Sequence, residues 1–118
     1  MKYLCLIYID EKQLESLPQN EMDAIMNETS AYNDMLQQNG HLISAAGLKP
    51  VQMATTLRLR KGKLSVTDGP FAETKEVLGG FYLIEASDLD EAIRLASKSP
   101  SLRIGSVEVR PVDELIQS

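Results

Sequence analysis

At 118 residues, with 43% hydrophobic and 25% charged side chains, the chain has the composition of one ordinary globular domain, residues 1–118. A domain of this size buries roughly 65% of its unfolded surface, enough for a core without metal or disulfide staples. Its 12 basic and 17 acidic residues leave a net charge of −5 spread along the chain. That balance argues against non-specific binding to DNA, RNA or an anionic membrane.

Tyr3 to Ile9 is a continuous apolar run of strand length, expected in mid-sheet with both faces buried. It holds the sole cysteine, Cys5, which has no base or electropositive neighbour in sequence and reads as a buried, inert thiol. A single cysteine forms no internal disulfide, so a cytoplasmic location is expected. The opening is too short for a secretory h-region, and no run approaches a membrane span.

Asp10 to Gln19 is polar, and its Pro18 suits the first position of a helix, where the missing N–H has no partner anyway. Met22, Ile25, Met26, Thr29, Tyr32 and Leu36 then recur at three- and four-residue steps. This predicts a helix over about residues 18–39, capped at its C-terminus by Gly40. Leu42 to Leu48 reads as a strand. Thr55 to Arg60 alternates, with Leu57 and Leu59 on a covered side and Arg58 and Arg60 toward solvent. Lys61-Gly62-Lys63 turns the chain, and Leu64 and Val66 continue the alternation on the way back.

Phe81 to Glu85 is the next strand. Ser87 and Asp90 resemble a capping box for a helix over about residues 88–98, whose stripe is Leu89, Ala92, Ile93 and Ala96. Val107 and Val109 alternate with Glu108 and Arg110 in the last strand. Tyr3–Ile9, Phe81–Ile84 and Val107–Val109 are expected as inner strands. The fold class is α+β: a βαββαβ plan with an extra central hairpin, its antiparallel sheet carrying two helices on one face. The other face needs a partner, and a second copy of the chain is the simplest.

Chemistry concentrates between Val66 and Glu76. Asp68 sits where the hairpin ends, a place where loops gather functional groups. It could act as a general base or hold a ligand. Equally, Asp-Gly is a standard turn pair, with the carboxylate capping backbone N–H groups and Gly69 at positive φ. Pro70 stiffens the loop and projects Phe71. Glu73, Lys75 and Glu76 read either as a polar ligand site or as a solvated network. Asp68, Phe71, Glu73 and Lys75 are expected to border one pocket. His41, the only histidine, is a candidate acid or base at the sheet rim, or simply a polar strand end. Gly79-Gly80 permits a close backbone approach or marks a bulge. One His and one Cys cannot build a zinc or haem site, and no phosphate-cradling loop or nucleophile elbow is present. No metal, cofactor or nucleic-acid partner is expected.

The segment TDGPFAETKE, followed by LGGFY, resembles the signature of the YCII-related proteins, in the subgroup named after its DGPF motif. The resemblance runs from the opening MKYLCLIY to GSVEVRPV near the end. It implies a ferredoxin-like domain that associates as a dimeric α+β barrel. It also implies a small-molecule site in the dimer cleft, with cofactor-free proton transfer such as isomerisation or elimination. Asp68 and His41 would be the catalytic candidates, and Phe71, Glu73 and Lys75 the binding ones. Some members have a histidine–aspartate pair, although no motif aligns His41 with that histidine. DGPF-type proteins are often encoded beside alternative sigma factors, which gives the second reading: a non-catalytic regulatory or interaction module.

Overall fold

The computed structural model describes residues 1–114. In chain order it comprises β1 (Lys2–Ile9), α1 (Glu11–Glu15), α2 (Gln19–Gln38), β2 (Leu42–Gly47), a 3-10 turn (Val51–Met53) and β3 (Thr55–Arg60). There follow β4 (Lys63–Asp68), β5 (Val77–Glu85), α3 (Leu89–Ala96), a second 3-10 turn (Pro100–Arg103) and β6 (Gly105–Pro111). Four strands form one antiparallel sheet in the order β2-β5-β1-β6, and β3 pairs only with β4 in a separate two-stranded arm. The α+β plan with its central hairpin is the observed one.

Strand alternation decides which side of the sheet is covered. Tyr3, Cys5 and Ile7 of β1 face the helices together with Tyr82 and Ile84 of β5, which stand opposite them in register. Tyr32 and Leu36 of α2 and Ala92, Leu95 and Ala96 of α3 close over that face. Both helices therefore lie on one side. The side chains between, Leu4 and Leu6 of β1 with Phe81 and Leu83 of β5, are only half-buried. The expected two-faced burial of Tyr3–Ile9 is thus corrected, because the single chain supplies only one covering layer. The expected inner position of Val107–Val109 is corrected too. β6 lies at the sheet edge, since the hairpin forms its own sheet instead of adding a strand beside it.

The helix ends follow local chemistry, with shifts of one residue. Pro18 is the N-cap of α2 rather than its first helical residue. At the other end Gly40 takes φ +75, with His41 N–H bonding to Leu36 O and Gly40 N–H to Gln37 O, a Schellman closure. The polar stretch read without an element contains α1, which Asp10 caps by accepting from the N–H groups of Lys12 and Gln13. In α3 the cap is Asp88, not Ser87; its carboxylate accepts from Glu91 N–H, while Glu91 reaches back to Ser87 N–H. The buried stripe is Ala92, Leu95 and Ala96, while Leu89 and Ile93 of the expected stripe are exposed.

Polar groups in the core are satisfied. The Tyr32 hydroxyl donates to Leu95 O at 2.9 Å, and its ring meets Tyr82 edge-on with centroids 5.4 Å apart. The Tyr82 hydroxyl donates to Asn33 Oδ1 at 2.6 Å. Cys5 is 2% exposed, and burial pushes its thiol up to about 11, so at neutral pH it is a protonated core residue.

Candidate functional site

The β3–β4 arm meets the body of the domain at a loop, residues 69–76, and the two hold each other through backbone geometry. Gly69 takes φ +106, a conformation that side-chain-bearing residues rarely adopt. Its N–H donates to Ala54 O at 2.7 Å, and its carbonyl accepts from Thr56 Oγ1 at 2.7 Å. Arg58 Nη2 donates to the Phe71 carbonyl at 2.7 Å. The polar side of β3 therefore turns toward the loop. This corrects the expected polarity of the arm: Leu57, Leu59, Leu64 and Val66 are 60–74% exposed, and Arg58 is the half-buried one. Loop anchoring outweighs apolar burial here because nothing in the single chain covers the leucine side.

On the body side, Gly79 and Gly80 do both things that their sequence allows. The β1–β5 register slips between Ile7 and Tyr8, which pair with Gly80 and Leu78 and leave Gly79 as the bulge. At Gly80 a Cβ would stand 2.8 Å from Ala46 O, so only glycine lets β2 approach. Past the bulge, Tyr8, Val77 and Leu78 form one wall of a groove of about 750 Å³. Leu48 to Val51 with Met53 forms a second wall, and the arm root with Leu57, Pro70, Phe71, Thr74 and Glu76 forms the third. The lining is mainly apolar, with Tyr8, Lys49, Thr74 and Glu76 as its principal polar side chains. The Glu76 carboxylate is held by Ser106, whose hydroxyl donates to Oε1 at 2.7 Å.

The candidates divide. Phe71 lines the groove and is 79% exposed. Glu73 and Lys75 are exposed and lie outside the lining, whereas Thr74 and Glu76, the alternate residues of the same stretch, lie within it. Asp68 also lies outside the lining, but it is paired across the arm with Thr55, which belongs to it. Side chains so paired stand about 5 Å apart, so Asp68 is at the groove's rim. Its carboxylate makes no hydrogen bond or ion pair among the described residues, so the capping role open to it in sequence is not used.

His41 stands apart. Its Nδ1–H donates to Glu85 O at 2.8 Å, and Glu85 N–H bonds to His41 O at the same distance. It thus sits at the far end of β5 from Val77, about 26 Å along the strand. The structure does not bring His41 and Asp68 together within one chain. Missing from the sequence reading were Tyr8 and the Leu48–Met53 wall. Pro50, which caps the 3-10 turn soon after β2 ends, was the available signal for that wall.

A four-stranded antiparallel sheet with helices on one face and an open groove at the strand ends defines a ferredoxin-like α+β domain. The chain belongs to the YCII-related domain family, whose model matches residues 1–116. An uncharacterised protein of Rhizobium meliloti (strain 1021) is 42% identical over 116 residues, which span 95% of this chain and 92% of that one. Among solved structures, the chain is similar to 5-chloro-2-hydroxyhydroquinone dehydrochlorinase from Burkholderia phenoliruptrix AC1100, in complex with 2,5-dihydroxybenzoquinone. That likeness has a TM-score of 0.56 at 17% identity, covering 96% of this chain and 94% of the other. It shows the shared fold. Among the described residues no helix is long and apolar enough to cross a membrane.

Proposed function

We propose that the groove binds a small, largely apolar cyclic molecule in the cleft between two copies of the chain, and that Asp68 exchanges a proton with it. The observation that carries this reading is an unpartnered carboxylate at the rim of an apolar groove of ligand size. Phe71, Leu57 and Leu78 supply apolar walls, and Tyr8 and Lys49 are donors for a carbonyl or hydroxyl oxygen. A base of this kind removes a proton beside such an oxygen, and the donors stabilise the charge that develops there. No cofactor is needed for that step. The dehydrochlorinase of similar fold, crystallised with a dihydroxybenzoquinone, is compatible with a ligand of this size. His41, at the far end of β5, would take part only from outside the groove of its own chain. The half-exposed β1–β5 face is the proposed contact between the two copies.

A non-catalytic binding module is the second reading, favoured by the exposed apolar side of the arm. Asp68→Asn separates the two. A panel of small phenols and hydroxyquinones, read by thermal shift and by solvent-proton exchange, should yield a compound that binds and exchanges on the wild type. The variant should fold normally and lose the exchange. Binding without exchange on the wild type supports the module, and no binding by any compound refutes both readings of the groove.

A further inference from the structure

The projecting arm has the features of a surface made for a second copy. A compact monomer of 13.1 kDa exposes about 6,400 Å², whereas this chain exposes 8232 Å². Of that excess, the four residues beyond 114 account for at most about 640 Å². What remains exceeds the roughly 800 Å² that each partner buries in a standard stable interface. The radius of gyration, 16.2 Å, is likewise larger than the about 13.5 Å of a compact chain of this length.

Charge identifies the occupant. The arm, residues 55–68, holds four of the twelve basic residues and one of the seventeen acidic ones. It is therefore at +3 on a chain whose remainder is at −8. Arg60, Lys61 and Lys63 cluster at its tip, while Asp68, Glu73 and Glu76, offset only by Lys75, leave its root net acidic about 20 Å away along six-residue strands. An isologous pair of arms running antiparallel sets each basic tip on the other copy's acidic root. The same arrangement lays Leu59 and Leu64, cross-strand neighbours at the tip, beside the partner's exposed Phe71.

We infer that the β3–β4 arm pairs antiparallel with the arm of a second copy, each tip covering the other copy's groove. The inference rests on the proposed pairing of two chains and deepens it, because it makes the groove incomplete in one copy. Ligand pockets enclose most of their ligand, and a groove bordered by Phe71 at 79% exposure does so only with a further wall.

The test is sedimentation across a concentration series, comparing wild type with Leu59→Glu/Leu64→Lys. These positions are 74% and 65% exposed, and the opposite charges keep the cross-strand pair compatible, so the single chain should fold unchanged. The wild type is expected at twice 13.1 kDa and the variant at a dissociation constant at least about tenfold higher, a change of about 1.4 kcal/mol. A monomeric wild type overturns the pairing itself. A dimeric wild type with an equally tight variant overturns the arm alone and leaves the sheet-face contact standing. A second measurement needs no substitution: amine cross-linking of mixed normal and heavy-nitrogen wild-type chains. Links from Lys61 or Lys63 of one copy to Lys49 or Lys75 of the other are expected, and interchain links that join the arm to neither residue overturn the inference.

Discussion

Gly105 opens β6 directly opposite Ile9, where the chain leaves the second 3-10 turn and joins the sheet edge. A Cβ there would lie 1.8 Å from Tyr8 O and 2.8 Å from Ile9 Cα. The first distance falls 1.2 Å inside the 3.0 Å that Cβ atoms keep, and the atom struck is backbone, which cannot rotate away. Gly105→Ala therefore has to push the start of β6 off β1. The displacement threatens the end of the ladder and the bond from Asp10 N–H to Ile104 O, now 3.0 Å. Two such bonds at about 1 kcal/mol each, with a modest overpacking cost, give a loss of about 2–4 kcal/mol. For a domain of this size that lowers Tm by roughly 8–16 °C. Gly47→Ala is the control: its Cβ would meet nothing within 4 Å, and its φ is not positive, so stability should hold within about 0.5 kcal/mol. Calorimetry on both variants decides. Equal melting temperatures would show that β6 does not pack against β1 as described.

Leu36 is fully buried between α2 and the sheet, so Leu36→Ala should cost about 3–4 kcal/mol in urea titration, with unchanged secondary structure by circular dichroism. Asp68→Asn, whose carboxylate has no protein partner among the described residues, should leave Tm unchanged within about 2 °C; a large drop would make it a structural turn residue. Alkaline pH should destabilise the fold through Cys5. Above pH 9.0 the unfolded thiol gives up its proton while the folded one keeps it to about 11. The unfolded state then binds fewer protons, so stability falls as pH rises through that window, by about 2–3 kcal/mol. Tyr32 and Tyr82, also raised by burial, extend the loss upward, and Cys5→Val should remove its earliest part in denaturant titrations at stepped pH.

What the sequence determined by itself lies in short-range chemistry. The periodic apolar residues of α2, the Gly40 closure, the alternation in β3 and β4 and the positive φ of Gly69 depend on neighbours within a few positions. Backbone sterics and one-sided burial allow few alternatives there. Even caps misplaced by one residue, at Pro18 and Asp88, kept the right helices. The tertiary structure alone decided which apolar faces are covered. Leu57 and Leu59 have the pattern of a buried strand face, yet they stand exposed, because Arg58 is drawn to the Phe71 carbonyl and the strand turns over. Tyr8, Val51 and Phe71 meet in one groove although they lie far apart in the chain, and His41 is carried to the opposite end of β5. Periodicity tells a side chain to seek cover. It cannot say what covers it, since that depends on strand order and on long-range contacts that no local pattern encodes.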